Sequence, residues 1–147
     1  MKKTCGWLFV AVLLLANCAK EADVIPLSVE PDYKLFVSKA NEYNAPIRDR
    51  AVQIYFVGTP RNEVAQCEKS ESLAIIRIDP KIWNTSCEYK KQMILFHELG
   101  HCLLDREHTG EKDEEGHPKS IMHSFGVTAT HFKEKHEDYL AELFTNK

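Results

Sequence analysis

The stretch KKQMILFHELGHCLL, residues 90–104, decides the fold of this chain. Its apolar residues occupy most sides of a helix, a pattern typical of a helix buried in the middle of a domain. Within it, His97 and His101 are four positions apart, so their imidazoles lie on one side of the helix and can bind one tetrahedral ion. Glu98 lies beside them and is suited to take a proton from a water activated by that ion. The sequence therefore predicts a Zn²⁺ site on this helix, with Glu98 as the catalytic base.

The zinc site needs a third ligand, and His108 is the nearest further histidine in the chain. In a continuous helix it would lie about 16 Å along the axis from His97 and out of reach of the ion. The helix must therefore end near Leu104, where Asp105 can adopt a left-handed conformation that turns the chain back. This geometry predicts that His108 binds the metal.

HELGHCLLDREH at residues 97–108, followed by SIM at residues 120–122, resembles the metzincin metallopeptidases. The resemblance covers roughly residues 90–125. It implies a zincin-like fold, a third histidine ligand and a methionine-containing turn in which Met122 packs beneath the metal. The sequence departs from the family, whose glycine would fall at Leu104 and whose third ligand would fall at Glu107. His108 is the favoured ligand because imidazole suits zinc and completes a three-histidine site with water in the fourth position, while Glu107 and Asp105 stay open.

A different ligand set is suggested by Glu134 and Asp138, whose spacing is similar to that of the gluzincin peptidases. In that family the glutamate of this pair is the third ligand. The Ile121-Met122 pair and the early His108 favour the metzincin arrangement. No role is assigned to the other histidines that follow the helix, which are His117, His123, His131 and His136. His123 follows the methionine turn and could assist near a substrate.

The rest of the chain predicts an α+β domain with an N-terminal helix, a short mixed sheet, the central helix, the methionine turn and a C-terminal helix. Helical spacing indicates helices over residues 32–43 and 131–144, and β-branched or aromatic residues indicate strands over 51–57 and 72–78. Thr85 and Glu88 form a capping-box sequence at the start of the central helix. The zincin resemblance implies an edge strand beside the cleft, where an extended peptide can bind through main-chain hydrogen bonds. Leu73–Ile78 is the candidate, and a central or edge strand without substrate contact is the alternative.

The first residues predict export. Two lysines precede an apolar run over residues 7–16, which is typical of a signal peptide and too short for a membrane span of about 20 residues. Residues 15–18, LANC, resemble the lipobox of bacterial lipoproteins, which implies a lipid on Cys18. Asn17 departs from that pattern, so cleavage near Ala19 stays open. We expect a signal peptide over 1–17, a tether over 18–30 and one domain over 31–147.

Cys67, Cys87 and Cys102 would then lie in an oxidising compartment, where disulfides form. If Cys87 and Cys102 lie on one helix, about 22 Å separates them, which is far beyond disulfide reach. The sequence therefore favours a disulfide between Cys67 and Cys87, with three buried thiols as the alternative.

Composition excludes some partners. The 19 basic and 22 acidic residues are scattered and give a net charge of −3, so no basic face for nucleic acid is evident. We expect a monomeric zinc metalloendopeptidase that hydrolyses a peptide or protein substrate, anchored by its lipid to a bacterial membrane and facing the periplasm or the cell exterior. The alternatives are a non-catalytic zinc-binding surface lipoprotein and an amidase or peptidase acting on cell-wall peptide.

Overall fold

The computed structural model describes residues 21–59, 63–124 and 126–145. The predicted signal peptide and the lipidation site Cys18 lie outside the described residues. The elements follow the order α1 (Glu30–Glu42), β1 (Ala51–Phe56), β2 (Ala65–Lys69), β3 (Leu73–Ile78), α2 (Pro80–Thr85), α3 (Glu88–Leu103), α4 (Ala129–Glu134) and α5 (His136–Thr145). The chain is therefore an α+β domain, as predicted. Within the described ranges, every helix is too short or too polar to cross a membrane.

The sheet has the strand order β1-β3-β2, with β3 parallel to β1 and antiparallel to β2. Leu73–Ile78 is therefore the central strand, so its candidacy as the edge strand was wrong and the alternative of a central strand is confirmed. Both of its edges are paired, and its alternate residues Ala74, Ile76 and Ile78 are buried in the core. The edge strand is Ala65–Lys69, a half-polar segment that the sequence analysis missed. On the far side, the backbone of Val24, within the predicted tether, pairs with β1 through Val52 and Ile54.

Helix α3 lies at the centre of the domain, as its apolar sequence predicted. Its buried residues are distributed around the helix because it packs on β2 and β3 on one side and on α1 and α4 on the other. The Phe96 ring meets the edge of Phe36 from α1 at 5.2 Å, and Phe36 in turn contacts Phe144 from α5 at 5.0 Å. These contacts fix α3 inside the core and leave little freedom to the side chains that it carries.

The start of α3 differs from the prediction. Thr85 ends the short helix α2, and its hydroxyl donates to the Lys81 carbonyl rather than accepting an amide of α3. Cys87 is the residue that precedes α3, and its side chain makes no capping hydrogen bond. The capping-box prediction was wrong because Pro80 and Asp79 begin a separate helix that ends at Thr85. The predicted C-terminal helix is likewise divided, at Lys135, into α4 and α5.

The disulfide joins Cys67 to Cys102, with a Cα–Cα distance of 5.9 Å, and not to Cys87. The pairing of Cys67 with Cys87 was wrong because that prediction lacked β2. Strand β2 packs along α3, which places Cys67 against the last turn of the helix, where Cys102 is buried. Cys87 is exposed and free. The separation of Cys87 and Cys102 by the length of α3 was predicted correctly.

Removing this disulfide is expected to destabilise the domain. The bond closes a loop with a sequence separation of 35, for which the chain-entropy model gives about 4 kcal/mol. The double variant Cys67→Ser, Cys102→Ser should lose stability of that order in urea unfolding, whereas Cys87→Ser should match the unsubstituted protein. Equal loss in both variants would contradict the pairing.

Candidate metal centre

The nitrogens of three histidine rings meet at one point beside α3. The Nε2 atoms of His97 and His101 are 3.1 Å apart, and the Nε2 atom of His108 lies 3.1 Å from each of them. In a tetrahedral zinc site with bonds of about 2.0–2.1 Å, neighbouring nitrogen ligands lie about 3.3 Å apart. The three side chains predicted from the sequence are therefore brought together at a spacing that fits one zinc ion.

The turn after α3 brings His108 back to the helix. Asp105 has a φ of +53°, the left-handed conformation predicted for it, and the Arg106 amide donates to the Gly100 carbonyl. The Asp105 carboxylate lies within 2.5–3.0 Å of nitrogens of three cations, Arg48, Arg50 and Lys69. Burial alone would raise the pKa of Asp105, but hydrogen bonds from these cations outweigh it and hold that pKa well below its usual range. The Asp105 carboxylate therefore stabilises the turn through its contacts with these cations.

The other candidates for the third ligand do not lie among the donor atoms of the three histidines. Among the described residues, the donor group at this site consists of His97, His101 and His108. Glu107 lines the adjoining cavity, but its carboxylate is not part of the group, and neither is that of Glu134 on α4. Of the candidates for the third position, His108 is therefore the side chain that lies with His97 and His101.

Backbone carbonyls orient two of the rings. The Nδ1 atom of His97 lies 2.7 Å from the Ile121 carbonyl oxygen, and that of His101 lies 2.6 Å from the Arg106 carbonyl oxygen. A carbonyl only accepts, so both Nδ1 atoms carry the hydrogen and both Nε2 atoms present lone pairs to each other. Two lone pairs at 3.1 Å repel each other unless a cation lies between them. A backbone carbonyl that accepts from the other ring nitrogen is typical of metal-binding histidines.

Burial keeps these imidazoles in the neutral form that binds metals. Desolvation is the largest effect on both rings. It lowers the pKa of His97 to about 4 and brings the pKa of His101 below its usual value. Protonation therefore does not compete with a metal ion at neutral pH.

Glu98 lies beside the histidines and is only 7% exposed. Burial is the main reason that its pKa rises to about 8, and the nearby charge of Glu63 adds to the effect, while the backbone amide of Cys67 donates to the carboxylate and opposes it. A carboxylate at this pKa can both accept and return a proton near neutral pH. The Cys67 amide, which the sequence analysis could not identify, holds it in place.

Met122, which the sequence analysis expected beneath the metal, packs against Gly100 of α3. It is fully buried, and its amide donates to the hydroxyl of Ser120 within a tight turn. Its own carbonyl accepts from the Thr109 amide, which secures the segment next to His108. Together with the Ile121 carbonyl on His97, this turn supports two of the three histidines.

Gly100 is required for the close approach of this turn. A Cβ atom at this position would lie 2.6 Å from the Met122 sulfur and 3.2 Å from a methyl carbon of Leu143. Gly100→Ala is expected to cost about 1–3 kcal/mol through overpacking and to lower the thermal midpoint. Gly110→Ala is the matched control, because a Cβ there meets nothing within 4 Å. Equal midpoints for the two variants would show that the packing beneath α3 is loose.

The histidines and Glu98 line a cavity of about 570 Å³ between α3 and β2. The even-numbered residues of β2 bond to β3, since Asp79 donates to Val64 and Ser70 donates to Leu73. The amides and carbonyls of Ala65 and Cys67 therefore face away from β3 at the edge of the sheet, and the Cys67 amide donates to Glu98 of α3. His123, considered as an assisting residue, is buried and is not among the described residues that line this cavity.

Comparison of the chain with protein-family models, with curated proteins and with solved structures gave no match.

Proposed function

We propose that this chain is a zinc-dependent endopeptidase that hydrolyses peptide bonds with an activated water molecule. The observation that carries the proposal is the convergence of three Nε2 atoms at 3.1 Å beside the buried carboxylate of Glu98. Zinc bound by such a set lowers the pKa of a water ligand toward 7 and polarises a carbonyl group.

The residues of the chain have separate roles in the proposed reaction. The three histidines hold the ion, and the carbonyls of Ile121 and Arg106 fix the rings of His97 and His101. Glu98 takes the proton of the attacking water and delivers it to the nitrogen of the leaving amine. The Cys67 amide holds the carboxylate in place, so that proton transfer requires no large movement of the side chain.

The free edge of β2 is the proposed binding site for an extended substrate. Ala65 presents its amide and carbonyl at this edge and Cys67 its carbonyl, while the Cys67 amide donates to Glu98. A peptide can add to such an edge as a further strand. This replaces β3, which is covered on both sides by its neighbours in the sheet. A peptide bound here would lie between β2 and the three histidines, because all of them line the same cavity.

The non-catalytic alternative receives less support from the site. Structural zinc sites are usually closed by four protein ligands, whereas the group found among the described residues has three and adjoins a cavity. A structural site also has no use for a buried acid beside its ligands, because the burial of such a carboxylate is costly. Peptide hydrolysis explains both features.

Export of the chain as a lipid-anchored monomer is part of the proposal. The Cys67–Cys102 disulfide supports it, because such bonds persist mainly in oxidising compartments. The positive start and short apolar run of the sequence point in the same direction.

The test measures the metal content of the purified protein and its cleavage of an unfolded protein. We expect tight zinc binding and cleavage at internal bonds, lost on treatment with a chelator and restored by zinc. Absence of a tightly bound transition metal would overturn the zinc site. Tight zinc without cleavage of unfolded protein would overturn the endopeptidase, and a parallel assay on cell-wall peptide would then separate the two alternatives.

A further inference from the structure

A second group of metal-binding side chains lies on the connection between α3 and α4 and on α4 itself. Donor atoms of Asp113, His117 and His131 all lie within 4.8 Å of one another. The sequence analysis gave these histidines no role, and none of the three residues belongs to the first site. Two imidazoles and one carboxylate are a donor set that zinc commonly takes.

The carboxylate of this group is held by a tight hairpin. One oxygen of Asp113, Oδ1, accepts the amides of Glu115 and His117 at 3.1 and 2.8 Å. The second oxygen, Oδ2, lies 3.7 Å from the Nδ1 atom of His117, which is too long for a hydrogen bond. Glu115 places a further carboxylate oxygen 3.9 Å from the same nitrogen. The hairpin thus fixes one carboxylate oxygen and leaves the other directed at an imidazole.

His131 comes to this hairpin from α4. Its amide donates to the Thr128 hydroxyl at the start of the helix, and its ring stacks on that of His117 with centroids 4.1 Å apart. The Tyr139 hydroxyl donates to the Pro118 carbonyl at 2.6 Å, which holds the hairpin against α5. Within the described part of the chain, the ring nitrogens of His117 and His131 make no hydrogen bond, so they are available to a ligand.

A metal ion at this position would stabilise a long connection that has little regular structure. The described residues between α3 and α4, 104–124 and 126–128, contain no helix or strand and are organised by isolated bridges. Connections longer than about 12–15 residues are uncommon in compact domains. The same connection carries His108 and Met122, which belong to the first site. A cross-link between the hairpin and α4 would restrict this connection in the unfolded chain and stabilise the folded state.

We propose that Asp113, His117 and His131 bind a second divalent transition-metal ion, of the class of zinc, that fastens the 104–128 connection to α4. This proposal does not depend on the peptidase activity. Its affinity is lower than that of the first site, because His117 is half exposed and the positive charge of Lys135 acts on Asp113.

The test is a titration of the purified, metal-free full chain with Zn²⁺ in competition with a chromophoric chelator. We expect two ions per chain, the second bound more weakly, and a further rise in the thermal midpoint as the second ion binds. His131→Ala and His117→Asn should each remove the weaker ion and leave the tight one. Glu114→Gln, an exposed change in the same hairpin, should retain both.

Two results would overturn the proposal. One is a single ion per chain in the unsubstituted protein that both His131→Ala and His117→Asn retain. The other is a second ion that His117→Asn still binds. Because the His117 side chain is exposed, this substitution is not expected to disturb the fold. Metal binding at the first site is measured separately, because His108→Ala should weaken the binding of the tight ion only. A protein that binds the weaker ion but lacks the tight one would contradict the proposed function and leave this second site standing.

Discussion

Glu98→Gln is expected to reduce peptide cleavage by about 10³-fold or more while the tight zinc ion remains bound. Glutamine has nearly the same shape as glutamate, and its carbonyl oxygen can still accept the Cys67 amide that now holds the carboxylate. It cannot take a proton from the attacking water, and general acid–base catalysis contributes about 10²–10⁴-fold in enzymes. The measurement is kcat/KM on a fluorogenic peptide, together with the zinc content of each preparation.

The matched control is Glu88→Gln, the same exchange at the exposed start of the same helix, where the side chain is 85% exposed. It should retain full activity and full zinc. Loss of tight zinc by Glu98→Gln would assign the carboxylate a role in metal binding. Retention of more than about a tenth of the activity would remove Glu98 from the proton transfer, since a catalytic base contributes at least about 10²-fold.

The first site could be predicted from the sequence to the extent that it depends on local geometry. His97 and His101 are one helical turn apart, and the helix that carries them is apolar on most sides, so their common direction follows from periodicity alone. His108 was placed by a second local argument, because Asp105 had to turn the chain, and its positive φ confirms that step.

The features that were missed depend on pairing between distant segments. Strand β2 has a half-polar sequence with little alternation, and it forms because β3 offers an edge on which to pair. Without β2 the partner of Cys67 was assigned wrongly, and the edge beside the cavity was assigned to β3. A central position for β3 was left open as an alternative, because its apolar residues fit a central strand as well as an edge strand.

Residue types also give no information on the backbone groups that organise the site. The carbonyls of Ile121 and Arg106 and the amide of Cys67 would be present whatever side chains these residues carried. Their roles follow from the turn after α3 and from the packing of β2, which no motif encodes. Gly100 is an intermediate case. Its small size is visible in the sequence, but the sulfur of Met122 that requires it comes from a distant turn.

His108→Ala is expected to weaken zinc binding at the tight site by more than about 100-fold and to bring cleavage to background. The His108 ring supplies one of three equivalent donors, each 3.1 Å from the other two. Loss of a partner that merely orients a ligand already costs about 10–100-fold in affinity, so loss of the ligand itself should cost more. Competition with a chelator of known zinc affinity measures the change, and the absorption of Co²⁺ in the same protein reports the geometry of the site.

Glu107→Ala and Glu134→Ala are the matched controls, because each removes a competing candidate for the third ligand. Glu107 is adjacent to His108 in the turn, and Glu134 lies on α4, yet neither carboxylate joins the histidine group. Both variants should keep the tight zinc ion and the Co²⁺ spectrum of the unsubstituted protein. If His108→Ala kept its tight ion while Glu107→Ala lost it, the turn would present its carboxylate in solution and the three-histidine site would be wrong. If Glu134→Ala alone lost the ion, α4 would supply the ligand, as in the gluzincin arrangement.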